Sequence, residues 1–466
     1  MQSTLARNAL AVLATAGLTL TAAAATSAST WFVDQGGFGD FLTIQEALDA
    51  SAPGDTIVVS PGVYVEELVV PVTVTIVGAG VGQTIVRPAT SIPGSGPGSQ
   101  LDTTTWLVRV QAHAVVLSGI SFEGDNPDLG GPIDARGGIV TDFTLGTFDG
   151  LEVTNCEVAD VAYRGIYAAA GGSGHKLSSN TVRNVAQQPL DSVGIFFFGA
   201  VGEARNNHVT DCSIGIGFQS GGGGELTDNL VEGCDLGLLA NGSTSSVWMG
   251  DNTLSGCTQG MQGIAVNTSV LVTGNSTEGC TTGLTLFGLG SGGFVVEDNA
   301  FDGGSLAGSS GMFLSTDVSP WGYGDLHVVA RRNLLGHTEV AVALYEDPLN
   351  NAAWLDLTLS GAAADYNTFT GSGVYNVELA GCDDDVAARH NFWGAVSAAL
   401  IEQTLYHQPD DPTLGLIDFG DTVNLLATVD DDGPADFTTI NPAVQALLPG
   451  GTVVVEPGLY QEDVLV

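Results

Sequence analysis

From about residue 207 to 290 the chain repeats one short phrase of apolar and polar positions. NHVTDCSIGIGF starts at Asn207, NLVEGCDLGLL at Asn229, NTLSGCTQGM at Asn252 and NSTEGCTTGLTL at Asn275. The shared pattern is Asn-x-apolar-x-x-Cys-x-x-Gly-apolar-x-apolar, two brief runs of period two set apart by turn residues. The asparagine slot recurs at Asn180, Asn299, Asn333, Asn367 and Asn391, and Cys156 fills it one coil before Asn180. Spacings from Cys156 onward are 24, 27, 22, 23, 23, 24, 34, 34 and 24 residues. Runs this short cannot bury a face alone, so the repeats must stack and share a core. Propeller blades are longer, and a leucine-rich repeat needs an L-x-x-L-x-L frame that is absent here. The pattern predicts an all-β parallel β-helix in which the asparagines stack as an amide ladder.

Cys212, Cys234, Cys257 and Cys280 share one slot, five residues after each ladder asparagine. Their spacing does not fit the close pairs of a zinc site. They read as small inward core residues, stacked as free thiols; disulfides between adjacent coils are the alternative. At the N-terminal end, residues 41–51 (FLTIQEALDAS) place Phe41, Ile44, Ala47 and Leu48 at helical spacing. This predicts a cap helix over the open edge, with Asp40 as its N-cap. Thr56–Ser60 and Val63–Val77 read as the first coil's strands.

That opening returns near the other end. Asp40–Val70 aligns without gaps on Asp436–Val466 at an offset of 396, with 16 of 31 positions identical. Both copies keep Pro-Gly-x-Tyr-x-Glu, as Pro61 to Glu66 and as Pro457 to Glu462. The expected organisation is a segment 1–28 to be removed, a β-helix domain over 29–427, and a second, truncated copy over 428–466. The chain is then expected to be part of a longer tandem protein.

Asn391-Phe392-Trp393-Gly394 followed by Asp410-Asp411-Pro412 resembles the closing segment of bacterial right-handed β-helix repeat domains. The Pro-Gly-x-Tyr-x-Glu strand resembles the one that opens pectinesterases, and the coils resemble the pectin-lyase-like group of carbohydrate-binding proteins and sugar hydrolases. The resemblance implies a right-handed helix of strands; it does not imply a reaction. The enzyme motifs of that group are missing. Gly146-Thr147-Phe148-Asp149-Gly150 leaves the pectinesterase pattern after four residues, and only an Asp-Asp within Asp383-Asp384-Asp385 matches the polygalacturonase set. The Arg-x-Pro-x-x-Arg of pectate lyases and the Asp-Pro-His-Glu of alginate epimerases do not occur.

Charge narrows the partners. With 52 acidic and 11 basic residues the net charge is −41, which repels nucleic acid and anionic lipid. A 44% share of hydrophobic residues and a mean hydropathy of +0.25 exclude a disordered chain. Arg7 precedes an apolar stretch from Ala9 to Ala25 and a small-residue cluster at Ala24, Ala25, Ser27, Ala28 and Ser29, the layout of a secretory signal. No later segment is apolar enough to span a bilayer, so a secreted or cell-surface location is expected.

Candidate chemistry gathers on the middle coils. Arg164, Arg183 and Lys176 are the candidate catalytic bases. Arg136, Tyr163, Tyr167, His175, Asp191 and Arg205 are the binding candidates around them. Asp228, Asp251 and Asp298 each precede a ladder asparagine, and stacked carboxylates there could share Ca²⁺; no other cofactor is expected. Against this stands a plain reading: ten arginines must sit somewhere, and an acidic stripe is usually solvated. Two functions stay open, a non-catalytic surface or secreted module that binds extracellular polysaccharide, and a polysaccharide lyase, hydrolase or esterase.

Overall fold

The computed structural model describes residues 28–185, 191–318, 322–346 and 353–465; residues 1–27, most of the expected leader, lie outside them. Three long parallel sheets form the body. Sheet A has fifteen strands, from Thr30–Val33 to Ile417–Asp418. Sheet B has twelve, from Gly62–Val65 to Thr368–Thr370, and sheet C has thirteen, from Leu68–Val70 to Leu405–Tyr406. A middle coil contributes one strand to A, turns through the ladder asparagine into B, then turns through the cysteine slot into C. Val201–Arg205, His208–Cys212 and Ile214–Gln219 make one such coil. Alternation sets the core: Val209, Ile216 and Phe218 point inward and join one cluster that runs from Val33 to Ile417.

The ladder is present and unbroken. Asn180 Nδ2 donates to Asn207 Oδ1 at 3.0 Å, and the same bond links each successive pair to Asn367 and Asn391. Each Oδ1 also accepts the backbone N–H of the preceding ladder residue, including Cys156 N to Asn180 Oδ1. The four slot cysteines are buried free thiols with no disulfide between them, and Cys156 and Cys382 are likewise free and buried. Burial holds the Cys156 thiol up at about 11.

The cap helix, α1, covers Ile44–Ala50 and buries Ile44, Ala47 and Leu48. Its N-cap is Thr43 and not Asp40, because Asp40 is already used: its Oδ2 accepts the Phe32 N–H at 3.0 Å and pins the first strand. Glu66 completes the cap by accepting Ile44 N and Gln45 N. That explains the repeated motif, since Glu462 does the same for Ile440 and Asn441 at the start of the helix Ile440–Ala446. Tyr64 and Tyr460 likewise donate to the carbonyl four residues back.

The short helix Ala398–Glu402 follows the Asn-Phe-Trp-Gly turn, where Trp393 stacks on Phe369 with ring centroids 4.6 Å apart and an interplanar angle of 7°. Next to the second copy, the strand Leu426–Val429 pairs in parallel with Thr452–Val455. Asp436 fastens the copy to the body: Oδ1 accepts Val396 N and Ser397 N, and Oδ2 accepts Thr428 N.

Candidate functional site

Outward side chains of sheet C form rows by strand register. One row runs Tyr167, Phe196, Gly217, Leu239 and Gln262; the next runs Arg164, Val193, Ile214, Leu236 and Gln259. A third holds Phe198, Gln219, Asn241 and Ile264. Where these rows cross the middle coils they enclose a groove of about 580 Å³, a size that suits a small ligand or part of a chain. Its floor is Ile214, Leu236, Leu239 and Ile264, and its amides are Gln219, Asn241, Gln259 and Gln262, with Asp191 and Asp235 at the side. Val318 packs with Leu239 and Ile264 in a small apolar cluster. Gln262 Nε2 donates to Gln259 Oε1 at 3.1 Å, which presets both amides.

Part of the predicted cluster meets beside this groove. Arg164 lies over the Tyr163 ring at 3.7 Å and the Phe196 ring at 4.6 Å, and Nη2 reaches Asp191 Oδ1 at 3.3 Å. Tyr163 O–H donates to Asp191 Oδ2, and its oxygen accepts Gly98 N. Tyr167 stacks on Phe196 at 5.5 Å. Arg136 is wholly buried and donates to the carbonyls of Pro93, Gly96 and Gly98. Burial pushes the phenols of Tyr163 and Tyr167 above their usual range and lowers the Arg136 guanidinium. The group is a fastening: two guanidiniums tie the loop over residues 93–98 and the chain at Asp191 onto sheet C.

The other candidates are not brought to it. Lys176 stands exposed on sheet A, between Glu152 and Glu203 in register. Arg183 is on sheet B, bound to Glu157 at 3.0 Å and Asp160 at 3.4 Å. Burial opposes its charge, but those carboxylates win and hold its pKa up. Arg205 pairs with Glu225 on sheet A. His175 is buried, with Nδ1 accepting Leu151 N, and burial drives its pKa down to about 4. The three candidate bases thus lie on three different sheets.

The candidate metal aspartates fill a turn slot. Asp228, Asp251 and Asp298 have φ of 57°, 54° and 58°, and the coil between the last two carries Gly274 there. Asp298 is also bound by Arg332 at 2.8 Å. Among the described residues, Asp430, Asp431 and Asp432 bring three carboxylates within 4.8 Å. The groove amides escaped the sequence reading. They occupy outward slots on the third strand of each coil, and those slots alternate with the repeat's apolar positions.

A right-handed β-helix region model matches residues 139–317. No curated protein matches the sequence. Among solved structures, the A-module of a mannuronan C-5 epimerase from Azotobacter vinelandii is 15% identical; the match covers 75% of this chain and 93% of that one, with a TM-score of 0.40. A PL6-family alginate lyase is 12% identical over 92% and 65% of the two chains, with a TM-score of 0.46. A tailspike of Pseudomonas phage phi297 is 12% identical over 76% and 70%, with a TM-score of 0.42. These are likenesses of fold. Among the described residues no helix is long and apolar enough to cross a membrane.

Proposed function

We propose that this chain, a right-handed parallel β-helix protein of pectin-lyase-like architecture, is an exported binding module that takes an uncharged polysaccharide along sheet C and performs no chemistry on it. The groove lining carries the reading. Gln219, Asn241, Gln259 and Gln262 each offer a donor and an acceptor, which match the hydroxyls of a sugar, above an apolar floor that matches its C–H faces. A net charge of −41 disfavours polyanions. Every arginine among the described residues already holds a carboxylate or a carbonyl. The small-residue cluster after Ala9–Ala25 supports export.

Affinity electrophoresis in neutral glucans, pectate and alginate, with and without Ca²⁺, tests the proposal. Retardation should appear with a neutral polymer and be lost in Gln262→Ala and Asn241→Ala at unchanged melting temperature. Product analysis on the same polymers should show no turnover. Turnover abolished by Arg164→Ala in a folded protein would replace this reading with an enzyme at the Arg164 cluster.

A further inference from the structure

Most turns from sheet B to sheet C are short, but two neighbouring ones, residues 88–105 and 124–136, are long. Between the strands Ser121–Glu123 and Gly137–Thr141 the chain runs GDNPDLGGPIDAR, residues 124–136. Asp134, within it, is wholly buried. Its Oδ2 accepts Asn126 N at 2.8 Å, while Oδ1 has no partner. Asp125 Oδ1 is buried and unpartnered as well. The two carboxylates feel each other and Asp160 of the following coil; burial first, then those neighbours, lifts the Asp125 carboxyl above its usual range. The arginines of this corner are committed elsewhere, Arg87 to Glu123 at 2.7 Å and Arg183 to Glu157 and Asp160. Five carboxylates therefore face two guanidiniums at one corner of the solenoid.

A buried carboxylate oxygen with neither hydrogen bond nor counter-ion is a costly arrangement. Both sit on one loop, whose ends meet where Asp134 N donates to Gly124 O at 2.8 Å, and oxygen ligands of this kind suit a hard divalent cation. We propose that Asp125 and Asp134 hold Ca²⁺ and that the ion fixes the 124–136 loop against the solenoid. Water completes the coordination of about six to eight oxygens that Ca²⁺ takes. The loop ends at Arg136, whose guanidinium holds the carbonyls of residues 93–98. The ion thus anchors both loops that border sheet C at its N-terminal coils.

The test uses the full chain, stripped with EDTA and titrated with Ca²⁺ and with Tb³⁺ as a luminescent probe. Expected are one strongly bound ion per chain and a melting temperature that rises with Ca²⁺. Asp125→Asn should abolish both. Asp134→Asn should do the same, yet melt no lower than the stripped native protein, because it removes a buried charge and keeps an acceptor for Asn126 N. If Asp134→Asn does not fold, Asp125→Asn, at a half-buried position, decides alone. A calcium-independent melt of the native protein would mean that water satisfies the two oxygens, and would overturn the proposal. So would a calcium response that survives Asp125→Asn but disappears in Asp431→Asn.

Discussion

Asp228, Asp251 and Asp298 sit one position before ladder asparagines with φ between 54° and 58°, and Asn206, Gly274 and His390 occupy the same slot in other coils. The left-handed region admits glycine, asparagine and aspartate at least cost, so the turn accounts for these aspartates without a ligand. Asp251→Asn should change stability by less than about 0.5 kcal/mol, while Asp251→Val should cost about 1–2 kcal/mol in denaturant melts. A calcium ligand would show the opposite sensitivity to Asn. His175 makes a second prediction at this scale. Its pKa is about 4 in the folded chain against an ordinary 6.5, because burial disfavours the charged ring. The unfolded chain therefore takes up this proton first as pH falls, and stability is lost between pH 6.5 and 4, by roughly 3 kcal/mol in all. Urea titrations across that window should show the slope in the native protein, and His175→Asn, which keeps an acceptor for Leu151 N, should flatten it.

The ladder and the cysteine stack were legible because identical slots recur at nearly constant spacing, and stacking turns a sequence repeat directly into contacts. Asn252 bonds Asn275 Oδ1 and Leu226 O, and accepts from Asn229. Asn252→Leu should cost on the order of 1–3 kcal/mol for each group it leaves unpaired, read as a lowered melting temperature. Cys234 and Cys257 lie in adjacent coils, buried, with raised pKa values caused first by their neighbouring thiols. Maleimide should label them only after denaturant is added. Elements outside the repeat were harder to read. The strand Thr30–Val33 has no motif, and the α1 cap was misplaced because nothing local says that Asp40 is spent on Phe32. The Arg164 cluster was seen in part, since sequence proximity grouped residues that the coil distributes over three sheets. Its partners at residues 93–98 come from about forty residues upstream of Arg136.

At the scale of the molecule, the second copy is docked on the end of the solenoid. Asp436 spans the junction, and Ala427, Val429 and Ala443 form a small core against Val396. Asp436→Ala should release this unit: hydrogen exchange over 440–455 should speed up, while the melting temperature of the main solenoid stays within error. One property of the ladder reaches furthest. Every side-chain bond in it runs the same way, from the amide of one coil to the carbonyl of the next. The interior is thus a one-way queue in which each member presents the same hand to its neighbour. A whole coil can leave the queue without anyone noticing. Deleting residues 230–252 would bring Asn229 to Asn275 at the 23-residue interval that already joins Asn252 to it. The shortened chain should fold with the same far-ultraviolet spectrum per residue, whereas a deletion of half that length should not. Length in this architecture is counted in coils, and only whole numbers are allowed.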